Sequence, residues 1–319
     1  MAAINAVLGF HCLNGTMEVT PALPPPNAIL PLQQHPMFAD ALTRMGRAPA
    51  CLTLRAGARR IGYVQLITRK FGPLGSVALA ARGPVWCTDA SPDQRRAMLG
   101  KLAKTGLRVV NADRPRDIPK GSGFHQIITP AAMAEVDLRG DLRAAMHPKW
   151  RNRLVKAQSA PLNLQNHGFD SDRHGWLLTA ERAQQKARGY RALPAAITLA
   201  YAAAHPSQVR MVTACDGTAP VAAMLFLCHG PVATYHIGWS GPKGRAMGAH
   251  NLILASAMEW LADRGHLWLD LGVLDTQANP GLARFKIGAG ARVRPMGGTW
   301  LRLPHPSICW QGRAAHARP

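Results

Sequence analysis

The sequence predicts an α/β protein built from two mixed sheets of related design. Three observations carry that expectation. The chain of 319 residues is long enough for one large domain or two of ordinary size. Hydrophobic residues make up 47% and charged residues 17%, which supplies a sizeable core and excludes a disordered chain. One order of elements, strand hairpin, strand, helix, strand, occurs twice, over residues 29–135 and 176–302. The two halves share element order and not sequence.

Each element has a local reason. The start, MAAINAVLGFHCLNG, lacks the basic flank of a secretory signal, so none is expected. TPALPPPN, residues 20–27, is proline-rich and reads as a tether, giving an N-terminal extension over residues 1–28. LPLQQHPMFADALTRMG reads as a turn and then a helix ending near Gly46. ACLTLRAG and RIGYVQLITRKFG read as strands, with Gly57 in the turn between them. SVALAARGPVW is another strand, ending in Arg-Gly-Pro. Ser91 caps the helix SPDQRRAMLGKLAKTG, with Pro92 at its first position. LRVVNAD is a strand and completes an N-terminal domain over residues 29–140.

The pattern then repeats. DLRAAMHPKWRNRLVKAQ is a basic helix that Pro148 splits in two. GWLLTAERAQQKARGY and LPAAITLAYAAAH are helical. VRMVTACDG and VAAMLFLCHG form a hairpin, and VATYHIGWSG a further strand. AMGAHNLILASAMEWLADRG is apolar over most of its surface, so a buried helix is expected. LWLDLGV is the strand after it. These elements make a C-terminal domain over residues 141–304, followed by a basic tail, residues 305–319.

With 38 basic against 17 acidic residues, the net charge is +21. That favours nucleic acid, nucleotide cofactors or anionic lipid as partners, although a basic solvated surface gives the same number. The six cysteines form no CxxC pair, which argues against zinc ribbons and thioredoxin chemistry. Several lie in apolar runs as reduced core thiols, which suits the cytoplasm. No apolar run reaches the ~18 residues of a membrane span. No histidines have metal-ligand spacing, so no metal site is expected.

The chemistry concentrates in LDLGVLDTQANPGLARFKIGAGARVR. Asp270 and Asp275 flank a strand end, where ligands bind in open α/β sheets. Asp270 can instead fix the loop that follows it, and Asp275 can form an Asx-turn near Gln277. Lys286 is either a catalytic cation or a lysine snorkelling from an amphipathic turn. Arg284 can bind phosphate or remain solvated. GWSGPKGRAMGAHN leads a glycine-rich loop into a helix; its backbone N–H groups either hold phosphate or only cap the helix. Lys149, Arg151, Arg153 and Lys156 share one short helix. There Trp150 and Leu154, four residues apart, face the core and leave the basic side chains outside, either as a solvated face or to anchor an anionic substrate. Tyr235 and Trp239 either line an acceptor groove or pack in the core.

Five strings in order carry a family resemblance: LQQHPMFADALTRMG at residues 32–46, RGPVW at 82–86, KWRNRLVKAQ at 149–158, YHIGWSG at 235–241 and LDLGVLDTQANPGLARFKIGAG at 269–290. Together they resemble the FemAB-like branch of the GNAT acyltransferase superfamily and the related BioF2-like acetyltransferase-domain proteins. The resemblance implies two GNAT-like domains of the acyl-CoA N-acyltransferase fold, with the catalytic channel in the second. It implies transfer of an acyl or aminoacyl group onto an amine of a small molecule or of a cell-envelope acceptor such as a peptidoglycan precursor. The donor is acyl-CoA or aminoacyl-tRNA, used as a substrate and not as a tightly bound cofactor.

The resemblance makes Lys286 the residue that stabilises developing charge, with Asp270 and Asp275 beside it. Phe285, Arg284, Tyr235, Trp239, Lys149, Arg151 and Arg153 become substrate-binding. Arg245 and Gly248 fit the phosphate-loop pattern R/Q-x-x-G-x-G/A, whose last position here is His250. No long heptad segment of the kind that bridge-forming relatives use for tRNA is present. An ordinary acyl-CoA N-acetyltransferase stands as one alternative. A non-catalytic protein binding nucleic acid or another anionic ligand on a degenerate scaffold stands as the other.

Overall fold

The computed structural model describes residues 16–70, 76–190 and 192–303. The tail expected at residues 305–319 lies outside them. The first sheet contains β1 (Met17–Pro21), β2 (Ala50–Ala56), β3 (Arg59–Lys70), β4 (Ser76–Ala81), β5 (Val85–Trp86), β6 (Leu107–Ala112) and β7 (His125–Ile128). The second contains β8 (Ala132–Asp137), β9 (Asn163–Gly168), β10 (Val209–Asp216), β11 (Ala219–His229), β12 (Val232–Ser240), β13 (Trp268–Leu274) and β14 (Arg292–Pro295). The last strand, β15 (Gly298–Leu301), returns to the first sheet.

The strand order is β1-β2-β3-β4-β6-β15-β7 in one sheet, with β5 on β3, and β14-β8-β13-β12-β11-β10-β9 in the other. Each sheet has one parallel pair, β4–β6 and β12–β13. A helix bridges each pair, because a parallel crossover needs one. These are α2 (Pro92–Lys104) and α8 (Ala249–Asp263). The repeat expected from element order is therefore real at the level of topology. Ser91 caps α2 through a complete capping box with Gln94.

Chain order and packing part company around residue 140. β8 pairs antiparallel with β13, and β15 takes the equivalent place beside β6. Helix α1 (Pro36–Arg44) also crosses over: Phe38 and Leu42 pack with Leu177, Tyr201, Met211 and Leu225 of the second half. The stretch read as an extension over residues 1–28 supplies β1 on the edge of β2. The two sheets cannot separate without breaking strand ladders and this core. Pro148 splits the basic segment as expected, into α3 (Leu142–Ala145) and α4 (Pro148–Gln158).

The second sheet is covered on both faces. One face packs on α8 and α4, burying Trp150, Leu154, Ile253, Leu254 and Met258. The other packs on α1, α5 (Ser171–Arg188) and α6 (Ala195–Ala204). The remaining helices are α7 (Pro242–Ala246) and α9 (Pro280–Gly288). Among the described residues, no helix is long and apolar enough to cross a membrane.

Candidate functional site

Strand pairing ends where the site begins. The β12–β13 ladder runs only from Val232–Trp268 to Thr234–Asp270. A bulge on β12 lies just beyond, between the pairs Phe226–Tyr235 and Leu225–Ile237. β13 bulges too: Asp270 opposes Glu135, but Gly272 opposes Ala134. Gly272 has φ +79°, a left-handed conformation that glycine adopts without strain. Diverging parallel strands leave a cleft at their carboxyl ends, which is where open α/β sheets bind ligands.

α9 closes this cleft. Pro280 starts it, and its last turn packs on Trp150 of α4. The Gly288 carbonyl oxygen accepts from the His147 N–H at 2.9 Å. A Cβ at Gly288 would stand 2.8 Å from Cδ1 of Trp150, so no larger residue fits. This packing turns Lys286 inward, leaving it 6% exposed. Its ammonium donates to the Val273 carbonyl at 2.9 Å. Gly272 lies alongside, where a Cβ would make only an ordinary contact with Nζ at 3.8 Å. Burial pulls the Lys286 pKa down to about 8, and the nearby Asp270 charge opposes that shift.

Asp270 is 4% exposed. Its Oδ1 accepts from the Gly272 N–H at 2.7 Å, and its Oδ2 pairs with Nη1 of Arg82. Arg82 follows β4 with φ +54°, an uncommon value for a side-chain-bearing residue. Its Nε also donates to Oδ1 of Asp113 at 2.8 Å. Arg294 on β14 continues the chain of charges, reaching Asp113 at 2.8 Å and Glu135 at 2.7 Å. Burial pushes the Asp113 carboxyl up, but Arg82 and Arg294 together outweigh it and hold it below the usual range. Burial likewise opposes the Arg82 charge, and Asp270 and Asp113 outweigh it. The cluster joins the two sheets. With Lys286 charged, its cations Arg82, Arg294 and Lys286 balance its anions Asp113, Asp270 and Glu135.

Two openings flank α9. One is a groove of about 810 Å³ lined by His147, Lys149, Arg153, Arg284, Phe285 and Asn251, among others. Its lining holds several cations and no acid. The other is a cavity of about 400 Å³ between the sheets, lined by Arg82, Val273, Ile128, Leu193, Met296 and Asn111, among others. Arg284 and Phe285 line the groove, and Val273, whose carbonyl accepts from Lys286, lines the cavity; Lys286 itself lines neither.

The other expected site residues fall in several places. Asp275 is exposed, and its Oδ1 accepts from the N–H groups of Gln277 and Ala278 at 3.0 and 2.7 Å, forming the Asx-turn. Arg151 is half-buried and does not line the groove. Arg245 is exposed and donates to the Ser240 carbonyl. Gly248, at φ +68°, abuts α4: a Cβ there would stand 3.4 Å from Ala157 and 3.5 Å from the Arg153 carbonyl. The N-terminus of α8 is thus covered by α4. His250 shares a hydrogen bond of 2.9 Å with the Trp239 carbonyl, and burial lowers its pKa. Trp239 meets Trp176 edge-on at 5.2 Å. The Tyr235 hydroxyl crosses over Gly238, where any Cβ would collide with it, and burial and then Glu181 push its pKa up.

Sequence reading missed Arg82, Asp113, Glu135 and Arg294 as site residues. It also missed Glu181 on α5, which accepts from the Tyr190 hydroxyl at 2.8 Å. Arg82 lay inside the RGPVW string, and that was its one sequence signal. Among the described residues, no group of three or more His, Cys, Asp or Glu side chains is arranged to hold a metal ion.

The lowered Lys286 pKa has a stability consequence. In the unfolded chain this lysine holds its proton up to about pH 10.5; in the folded protein it releases it above about pH 8. The unfolded state binds more protons between those values, so the native protein gains stability as pH rises through the window. Relative to Lys286→Met, which cannot titrate, wild type is expected to gain about 2–3 kcal/mol between pH 8 and 10.5. Denaturant melts of both proteins across that range measure the gain; parallel stability curves would show that the lysine is not desolvated.

Comparison with known proteins agrees with this architecture. An acetyltransferase (GNAT) domain family matches residues 149–286. Among solved structures, FemX is similar with a TM-score of 0.67 at 12% identity, covering 84% of this chain and 93% of that one. L-PGS from Bacillus licheniformis gives a TM-score of 0.52 at 12% identity, covering 85% and 87%. A tandem GNAT protein from the clavulanic acid biosynthesis pathway gives 0.50 at 14% identity, covering 91% and 99%. No curated protein matches. The fold is that of tandem GNAT-like domains with two mixed sheets.

Proposed function

We propose that this chain moves an acyl or aminoacyl group from a phosphate-bearing carrier onto an amine, as FemAB-like transferases do. The observation that carries this reading is Lys286: a buried ammonium at the end of diverging parallel strands, bonded to the carbonyl of Val273 in the cavity wall and next in sequence to Arg284 and Phe285 of the basic groove.

In the reaction, the lone pair of a neutral amine attacks the acyl carbonyl carbon. A C–N bond forms and the carbonyl becomes an oxyanion. The Lys286 ammonium stabilises that oxyanion in a site of low dielectric, where a fixed charge counts for more than in water. The C–S or C–O bond to the carrier then breaks, and the amine's proton leaves with the carrier's thiol or hydroxyl. Asp270 keeps Lys286 charged and is itself held by Arg82 and Gly272, so it serves as a positioning residue. Phe285 walls the groove beside the ammonium.

The carrier's phosphates fit the groove. His147, Lys149, Arg153 and Arg284 line it without an opposing acid. The usual GNAT phosphate position, the backbone entering α8, is packed against α4 at Gly248. That packing and the His250 departure favour a donor held by side chains over an acyl-CoA held in the ordinary loop. A peptidoglycan precursor is one acceptor the family resemblance suggests.

Arg153→Glu with Arg284→Glu is expected to weaken donor binding about tenfold or more and to flatten its salt dependence. Arg151→Glu, outside the groove, should change neither. Both arginines of the double variant are exposed, so stability should shift by about 0.5 kcal/mol or less each. Filter binding of charged tRNA and calorimetry with acyl-CoA, each at several salt concentrations, decide which donor uses the groove. Unchanged affinity for both donors would remove the groove from the proposal.

A further inference from the structure

We infer that the 400 Å³ interdomain cavity is the acceptor pocket and that it selects an amine carried on an apolar body, not a nucleotide-linked amine. The inference rests on the acyl-transfer reading and names the acceptor class within it.

The walls of the cavity decide its chemistry. Ile128, Leu193, Val273 and Met296 give it an apolar lining. Ile128 and Val273 are 58% and 51% exposed, so the apolar surface reaches the mouth. Arg82 is the one cation in the lining, and its guanidinium is already paired with Asp113 and Asp270. Its side chain is 12% exposed, which leaves little of it to offer. A diphosphate entering here would be stripped of water and meet no free positive charge, which is strongly unfavourable. The basic residues of α4 and α9 line the other opening instead.

The remaining polar side chains add no free charge: the Gln33 amide oxygen is buried without a hydrogen-bond partner, and the Asn111 amide is already given to Thr299 at 3.1 Å. Past Val273 stands the Lys286 ammonium, on that residue's own carbonyl. An apolar body held against Leu193 and Ile128 shares the cavity with Val273, the residue whose carbonyl holds that ammonium. The volume lies at the lower end of the range for small-molecule pockets, roughly 300–1,000 Å³, and fits a compact body.

The test uses three amine probes on the full-length protein: 2-phenylethylamine, ethanolamine and UDP-glucosamine. Calorimetry without donor reads binding, and product mass with donor reads transfer. Phenylethylamine should bind at least about tenfold more tightly than the other two, because its ring leaves water for an apolar wall. Leu193→Asn and Ile128→Asn should each remove most of that preference while leaving donor binding in the groove unchanged. Ile128 is exposed, so its variant keeps the test open if the Leu193 variant fails to fold. Equal binding of phenylethylamine and ethanolamine, or tighter binding of UDP-glucosamine, overturns the inference. Phenylethylamine that binds with the expected preference but never gains an acyl group leaves the pocket assigned and sinks the transfer reading instead.

Discussion

Lys286→Ala is expected to lower turnover by about a hundredfold or more, as loss of an electrostatic catalytic donor does. The side chain is buried and aimed at the cleft end of β13, and no other cation stands at that carbonyl in the described hydrogen bonds. The fold should persist, because the substitution removes a charge that burial already disfavours. Lys286→Arg should restore only part of the rate: a planar guanidinium cannot place its charge where the ammonium sits beside Gly272. Steady-state kinetics with saturating donor measure both variants. A raised KM with unchanged turnover would make Lys286 a binding residue instead.

Arg82→Met is expected to cost about 3–5 kcal/mol of stability, the range for removing one partner of a buried ion pair. Arg82 serves two carboxylates, one from each sheet, and its loss strands Asp270 against Gly272 and Lys286 alone. Arg82→Gly provides an internal comparison. It removes the same charge but also relieves the left-handed backbone at φ +54°, so it should be more stable than Arg82→Met by about 1 kcal/mol. Freed from Arg82, Asp270 acts on Lys286 without compensation, and the Lys286 pKa should rise from about 8. Chemical denaturation and titration of the lysine by NMR check the two effects. Stability within 1 kcal/mol of wild type would mean that the network does not hold the sheets together.

Local signals were strongest where a single residue type enforces geometry. Ser91 with Pro92 gave the start of α2, Pro148 the break before α4, and Trp150 with Leu154 its buried face. Strands with few apolar residues gave no period to read. β9, NLQNHG, has no fully buried position, and β7, HQII, is exposed throughout. β8 left no mark of its membership in the second sheet, because its partners β13 and β14 follow more than a hundred residues later.

The site divides in the same way. Asp270, Phe285 and Lys286 were legible as a strand end followed by a proline-started turn. The burial of Lys286 was not, since it depends on how α9 is seated against α4 by the close approach of Gly288 and Trp150. Arg82 and Asp270 are 188 residues apart, and no local pattern joins them. Asp275, which stands in the same stretch, proved to be the exposed acceptor of a turn.

The most direct measurement is intact-mass analysis of an amine acceptor after incubation with wild type or Lys286→Ala and a donor carrying an isotope-labelled acyl group. The account predicts an acceptor heavier by the labelled acyl group with wild type, and at least about a hundredfold less of it with Lys286→Ala. Donor that is only hydrolysed, or equal yields of product from both proteins, would contradict it.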